Sequence, residues 1–259
     1  MERQIHSTAV ISPGAELERD VFVGPYCIVG DGVVLRNGVR LISNVVIDRD
    51  TEVGEGTVIH PFACIGVPPQ DMKYRDEKTA TKIGKQNTIR EYTTVHRASV
   101  GGGGVTEIGD STFLMAYVHV AHDCKIGNSV IMANAATLAG HVTVQDHAVI
   151  GGIVAIHQFT RIGSYAMVGG FSGIGQDIPP YMIASGARAK LYGLNQIGLK
   201  RHGFSDEVIA VLKKAYKILF REKRTLKEAL KKIRSELPPI PEVLHLVTFI
   251  EENKRGICR

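Results

Sequence analysis

Residues 120–138 read Val120-Ala121-His122-Asp123-Cys124-Lys125-Ile126-Gly127-Asn128-Ser129-Val130-Ile131-Met132-Ala133-Asn134-Ala135-Ala136-Thr137-Leu138, with an aliphatic residue or methionine at every sixth place. The series continues forward through Val144, Ile150, Ile156, Ile162 and Val168 to Ile174. Backward it passes Leu114 and Ile108, skips, and resumes at Val95, Ile89 and Ile83; it skips again and then runs unbroken from Ile65 to Ile5. Four places after many of these residues stands a small or β-branched one, such as Ala15, Cys27, Thr57, Ala63, Cys124, Ala136 and Ala148. Glycine often follows the aliphatic position directly, as at Gly24, Gly54, Gly109 and Gly151.

A period of six fits neither the 3.6 of an amphipathic helix nor the 2.0 of a simple strand. It fits a triangular coil in which three short strands make one turn of about 18 residues and successive turns stack as parallel strands. The pattern therefore predicts an all-β left-handed parallel β-helix of hexapeptide repeats. The aliphatic residue points inward, the small one sits near a corner, and Gly or Asn supplies the positive φ that sharp corners need. A β-sandwich would space its turns unevenly.

Two breaks interrupt the period. Residues 67–82 are charged and carry Pro68-Pro69, so they should protrude as an inserted loop; one extra residue enters around Gly101-Gly102-Gly103-Gly104, as in a bulge or tight loop. Loops set into a rigid solenoid commonly hold binding residues. After Ile174 the repeat fades and Pro179-Pro180 marks a change of structure. From Ser205 the pattern turns helical, with Val208, Ile209, Leu212, Ala215, Tyr216 and Leu219 on one face. Ser205 is placed to cap this helix, Thr225-Leu226-Lys227-Glu228 reads as a capping box, and Pro241 suits the first turn of a third helix. The expected organisation is a solenoid over residues 1–186 and a C-terminal α-helical domain over 187–259 that covers the open last coil.

Composition bounds the function. Of the 259 residues 44% are hydrophobic, yet no apolar run is long enough to span a bilayer. The start, Met1-Glu2-Arg3-Gln4-Ile5-His6, lacks a signal-peptide layout. The four cysteines, Cys27, Cys64, Cys124 and Cys258, are far apart, a reduced cytoplasmic pattern in which each thiol fills a small buried slot. Residues 188–259 hold 17 Lys and Arg against 8 Asp and Glu, while the rest of the chain is net negative. A basic tail attracts an acidic partner or is simply a solvated face. Nothing points to nucleic acid, since there is no Trp and no recognised binding motif.

The ten histidines are unevenly distributed, with His119, His122, His141, His147 and His157 close together. Val120, Leu138 and Ile156 are one coil apart, so His119, His122, His141 and His157 gather near one edge, while His147 falls on the next face. Coils about 4.8 Å apart bring these imidazoles within reach of one substrate. One is suited to general-base work, with Asp123 orienting His122 if local turn geometry permits; three could instead hold zinc. Gly140 lies one coil above His122, where its N–H could meet an oxyanion.

The runs His119-Val120-Ala121-His122-Asp123-Cys124, Leu138-Ala139-Gly140-His141-Val142 and Ala155-Ile156-His157-Gln158-Phe159 resemble the UDP-N-acetylglucosamine O-acyltransferases of lipid A biosynthesis. So do Pro69-Gln70-Asp71-Met72-Lys73-Tyr74, Gln176-Asp177-Ile178-Pro179-Pro180-Tyr181 and Gly198-Leu199-Lys200-Arg201. The resemblance covers nearly the whole chain. It implies a cytoplasmic homotrimer with active sites between subunits. The reaction implied is transfer of a 3-hydroxyacyl group from acyl carrier protein to the glucosamine 3-position of UDP-N-acetylglucosamine, without metal or cofactor.

By the same resemblance His122 is the general base, Asp123 its orienting partner and Gly140 the oxyanion donor. Asp71, Lys73, His119, His141, His157 and Gln158 contact substrate, Asn195 and Arg201 lie toward the nucleotide, and Gly170 sets acyl-chain length. Ile197 departs from the pattern, since the family often has glutamate there. A 3-amino acceptor sugar would give an amide instead of an ester. A zinc-dependent carbonic anhydrase, an acetyl-CoA-dependent acetyltransferase and a purely structural solenoid share the architecture. The N-acyltransferase later in the pathway usually has an extra N-terminal domain, whereas here the repeat begins at Ile5.

Overall fold

The computed structural model describes residues 4–259; Met1, Glu2 and Arg3, which open the stretch read for a signal peptide, lie outside the described residues. The chain winds as a left-handed parallel β-helix with three faces. The first carries Gln4–Ile5, Phe22–Val23 and their successors up to Met167–Val168; the second runs from Val10–Ile11 to Gly173–Ile174; the third runs from Glu16–Leu17 to Arg161–Ile162. Strands pair in register one coil apart, so that Val120 faces Leu138, Leu138 faces Ile156 and Ile156 faces Ile174. The two breaks lengthen the step without disturbing the order: Ile65 pairs with Val95 and Val95 with Val120.

The inward series fills the core. Leu35, Leu41, Ile47, Ile59, Leu114, Met132, Leu138 and Ile150 are fully buried, with Val21, Cys27, Ala63, Cys124, Ala136 and Ala148 packed between them. Ile5, in the edge strand of the first face, stays 47% exposed. Cys27, Cys124 and Cys258 are buried as expected, but Cys64 takes the outward strand position beside Ile65 and is only partly covered.

The corners differ from expectation. The left-handed position falls three places after the aliphatic residue and is mostly not glycine: Tyr26, Asn44, Phe62, Ser129, Ala135, Tyr165 and Phe171 all have φ between 52° and 64°. Stacking hydrogen bonds compensate the cost of such a φ; the Phe171 N–H, for example, donates to Gly152 O at 3.0 Å. The glycine directly after the aliphatic residue has another cause, because there the next coil leaves no room for a side chain. A Cβ on Gly24 would lie 1.8 Å from Ile42 O, and one on Gly54 2.5 Å from the Gly84 carbonyl.

The inserted segment leaves the solenoid after Val67 and returns at Ala80. Arg97, 2% exposed, anchors it: its Nη1 donates to Asp48 Oδ2 at 3.2 Å and to Gly66 O at 3.1 Å, and its Nε to the Tyr74 hydroxyl at 3.0 Å. Beyond the last repeat, Met182–Ser185 continues the first face in parallel, and Lys190–Leu194 adds an antiparallel edge. Four helices follow: α1 (Gln196–Arg201), α2 (Asp206–Phe220), α3 (Leu226–Glu236) and α4 (Pro241–Glu251). Ser205 caps α2, Thr225 and Glu228 form the capping box of α3, and Pro241 opens α4, as read from the sequence; α1 was not anticipated. No helix among the described residues is long and apolar enough to cross a membrane.

Two consequences are measurable. Gly54→Ala should destabilise the chain by roughly 1–3 kcal/mol through overpacking. Gly175→Ala, at the equivalent place in the last coil with nothing within 4 Å, should leave the melting temperature nearly unchanged. His96 ends the strand Thr94–His96, 5% exposed, and burial together with the nearby His119 and His122 pushes its pKa down to about 4. Unfolded, it takes up a proton near 6.5, so stability present above that pH is lost as pH falls toward about 4, by an amount of order 2–3 kcal/mol. Melting temperatures between pH 7.5 and 4.5 should therefore fall less steeply for His96→Gln than for the parent.

Candidate active site

The corner between the second and third faces builds the site. The stacking that pairs Val120 with Leu138 also places Asp123, His141 and Phe159 at successive left-handed positions, with φ of 60°, 61° and 63°. Each rung is tied to the one beneath it: the His141 N–H donates to His122 O at 3.0 Å and the Phe159 N–H to Gly140 O at 3.1 Å. The positive φ at Asp123 supplies the turn geometry that adjacent residues of a straight strand lack. His122 Nδ1 consequently donates to Asp123 Oδ2 at 2.7 Å. That bond holds the imidazole proton on Nδ1 and leaves the Nε2 lone pair free to accept one.

Gly140 lies against that free edge. A Cβ there would stand 2.6 Å from His122 Cε1 and 2.7 Å from Nε2, so no other residue fits. Its N–H makes no hydrogen bond among the described residues and is available to a ligand next to Nε2. The His141 ring meets His122 edge-on at 5.1 Å and stacks on Phe159 at 4.5 Å. His119 projects from the second face, its Nδ1 2.7 Å from Thr94 Oγ1 and its ring edge-on to His96 at 4.9 Å. Burial lowers the pKa of His119, favouring a neutral ring. Cys124, next in sequence to Asp123, is no nucleophile, because burial pushes its thiol up to about 12.

The inserted loop closes one side. Asp71 and Lys73 line a cleft of about 350 Å³ with Ser99, His141 and Phe159, and Asp71 Oδ1 accepts the Lys73 N–H at 2.9 Å, shaping the turn. A larger cavity of about 670 Å³ continues from His141 and Phe159 past Arg161 to Lys254 and Arg255. His157 meets Arg255 of that wall, its Nδ1 3.1 Å from Arg255 Nη2, with the exposed Gln158 beside it. His122, Asp123 and His141 could in principle ligate a metal. Asp123 Oδ2, however, already accepts from His122 Nδ1, Ser99 Oγ and Ser99 N at 2.7, 2.7 and 3.1 Å. This donor set suits an oriented imidazole, and ligation would break it.

Three expected site residues are elsewhere on the chain. Gly170 lies at the corner between the first and second faces, next to Gly152. Asn195 caps α1, accepting the Gly198 N–H at 3.1 Å and donating to Tyr165 O at 2.9 Å, and Arg201 ends that helix exposed. They sit at the corner between the third and first faces, where His147 stacks on Tyr165, outside the histidine cluster as expected. Ile197 is 69% exposed. Missed in the sequence were Ser99, Thr106, His96 and Phe159. Of these only Phe159 had a usable signal, a step of 18 from His141.

The molecule is closely similar to known proteins. A family described as "Udp N-acetylglucosamine O-acyltransferase; Domain 2" matches residues 177–258, and the bacterial transferase hexapeptide (six repeats) matches residues 106–140. The acyl-(acyl-carrier-protein)–UDP-N-acetylglucosamine O-acyltransferase of Thermodesulfovibrio yellowstonii is 68% identical over 256 residues, 99% of each chain. That of Syntrophobacter fumaroxidans is 48% identical over 257 residues, 99% of this chain and 100% of its own. The crystal structure of the UDP-N-acetylglucosamine O-acyltransferase of Moraxella catarrhalis superposes with a TM-score of 0.96 at 41% identity, over 98% of this chain and 99% of that one. With sequence identity along its whole length and the fold reproduced from first coil to last helix, the chain belongs to the UDP-N-acetylglucosamine O-acyltransferase family.

Proposed function

We propose that this enzyme transfers a 3-hydroxyacyl group from acyl carrier protein to the 3-hydroxyl of UDP-N-acetylglucosamine, with His122 as general base. The observation that carries the reading is the His122 Nδ1–Asp123 Oδ2 hydrogen bond of 2.7 Å beneath the unpaired Gly140 N–H. His122 Nε2 takes the proton of the sugar hydroxyl as its oxygen attacks the thioester carbonyl. Asp123 offsets the charge of the resulting imidazolium, and the Gly140 N–H stabilises the tetrahedral oxyanion. The carbonyl re-forms, the carrier thiolate leaves, and the imidazolium returns its proton to the sulfur. Asp71, Lys73, His119, His141, His157 and Gln158 surround the reacting groups, and the basic helical tail favours the acidic carrier.

A site shared between subunits suits the corners. Gly170, Asn195 and Arg201 occupy different corners from His122, an arrangement that supports their serving the substrate of a neighbouring chain. In a cytoplasmic homotrimer a neighbour supplies the nucleotide-end contacts of Asn195 and Arg201, while Gly170 leaves room for a longer acyl chain.

Purified protein should transfer 3-hydroxyacyl groups from the carrier to UDP-N-acetylglucosamine, faster than to the 3-amino sugar. Folded His122→Ala should lose about 10²–10⁴ of that rate. A folded chain that acylates neither sugar sinks the reading, and bound zinc by metal analysis would favour the carbonic anhydrase alternative. For the shared site, His122→Ala and Arg201→Ala chains, each impaired alone, should regain activity when refolded together as mixed trimers. Absence of recovery would place both residues in the same subunit's site.

A further inference from the structure

We infer that Ser99 is a positioning residue for the His122–Asp123 pair, acting through its hydroxyl on the Asp123 carboxylate; this rests on His122 being the base. Asp123 has no exposed side-chain surface, so its carboxylate needs fixed donors from the protein. One is His122. Among the described residues the other hydrogen-bond donors come from Ser99, whose hydroxyl donates to Oδ2 at 2.7 Å and whose N–H is shared between Oδ1 and Oδ2 at 3.2 and 3.1 Å, while His141 Nε2 stands farther off, 3.9 Å from Oδ2. The backbone of Asp123 is held separately, its N–H donating to Thr106 Oγ1 at 2.8 Å.

The local fold dedicates Ser99 to this task. It precedes the short 3-10 turn Val100–Gly102, a place where a serine ordinarily accepts an N–H of the turn, yet it makes no such cap. Its carbonyl closes the turn instead, accepting the Gly102 and Gly104 N–H groups at 3.3 and 3.2 Å, and the hydroxyl turns toward the carboxylate. Gly102 then lies directly over Asp123, where a Cβ would come within 2.1 Å of Asp123 Cγ. On the other side Ala98 and the ion-paired Arg97 are buried, so the strap enters from a rigid wall. The glycine run that reads as a bare bulge in the sequence is thus a lid over the carboxylate, and Ser99 is its polar contact.

The mechanism is angular. A carboxylate free to rotate would let the His122 ring turn with it, carrying Nε2 away from the sugar hydroxyl and from the Gly140 N–H, and small misplacements of a base cost large factors in rate.

Ser99→Thr and Ser99→Val test this, being nearly equal in shape and differing in the hydroxyl. With full-length protein, acyl carrier thioester and UDP-N-acetylglucosamine, the valine variant should lose about 10- to 100-fold in kcat, the effect of one hydrogen bond to a charged group. Its KM for the sugar nucleotide should stay within about twofold. Threonine should restore the rate. Ser99→Ala carries the same expectation if melting curves show that valine does not fit.

Equal kcat for the threonine and valine variants overturns the assignment, as does a loss confined to KM, which would make Ser99 a substrate ligand. His122→Ala in the same assay separates the two levels. If it is inactive while valine behaves as wild type, only the role of Ser99 falls. If His122→Ala remains active, the base assignment fails and the Ser99 role with it.

Discussion

Parallel hydrogen bonding between residues one coil apart is the constraint on which the rest of this molecule depends. Coils held at strand spacing, about 4.8 Å, leave no space for a side chain wherever one backbone passes directly over another. That excludes everything but glycine at Gly24 and Gly54. The same bonds pull most corners into a left-handed conformation that Tyr26, Phe62 or Ala135 would not adopt in isolation. Inside, the stack offers a prism too narrow for anything but aliphatic rows alternating with small residues. Sequence period, core composition and corner geometry are three expressions of one spacing.

The histidine site follows from that spacing. Residues one coil apart in the chain are adjacent in space whatever their chemistry, so Asp123, His141 and Phe159 form a column, with His122 and Gly140 in the column beside it. A corner also solves a problem that a straight strand cannot. Neighbours on a strand point to opposite sides, whereas the left-handed turn at Asp123 swings its carboxylate back onto His122. The pair is oriented by backbone conformation, and backbone conformation is held by the stack.

The irregularities supply what the regular coil lacks. Immediately below the histidine corner the ladder is interrupted, and the Asp123 N–H finds the Thr106 hydroxyl in place of a carbonyl. The room released is filled by the strap from Arg97 to Gly104. One end anchors the loop bearing Asp71 and Lys73 through Tyr74, and the other covers the Asp123 carboxylate. At the far end the helical tail closes the last coil through Asp177, which receives Arg161 at 2.9 Å and Asn253 at 2.9 Å. A polar seam there joins parts of the chain that are remote in sequence.

The sequence by itself determined the solenoid, its two breaks, the three helices α2 to α4 and the closeness of His122 to His141. All of these follow from fixed periods and local capping, which involve residues near in sequence or a whole coil apart. Only the tertiary structure decided which role each glycine plays, because close approach of coils and positive φ look alike in one dimension. It alone brought Ser99 to Asp123 and Arg97 to Asp48, across breaks whose lengths no period encodes. It also separated Gly170, Asn195 and Arg201 from His122. A three-sided coil distributes consecutive segments to different corners, so closeness in the sequence does not bring these residues together.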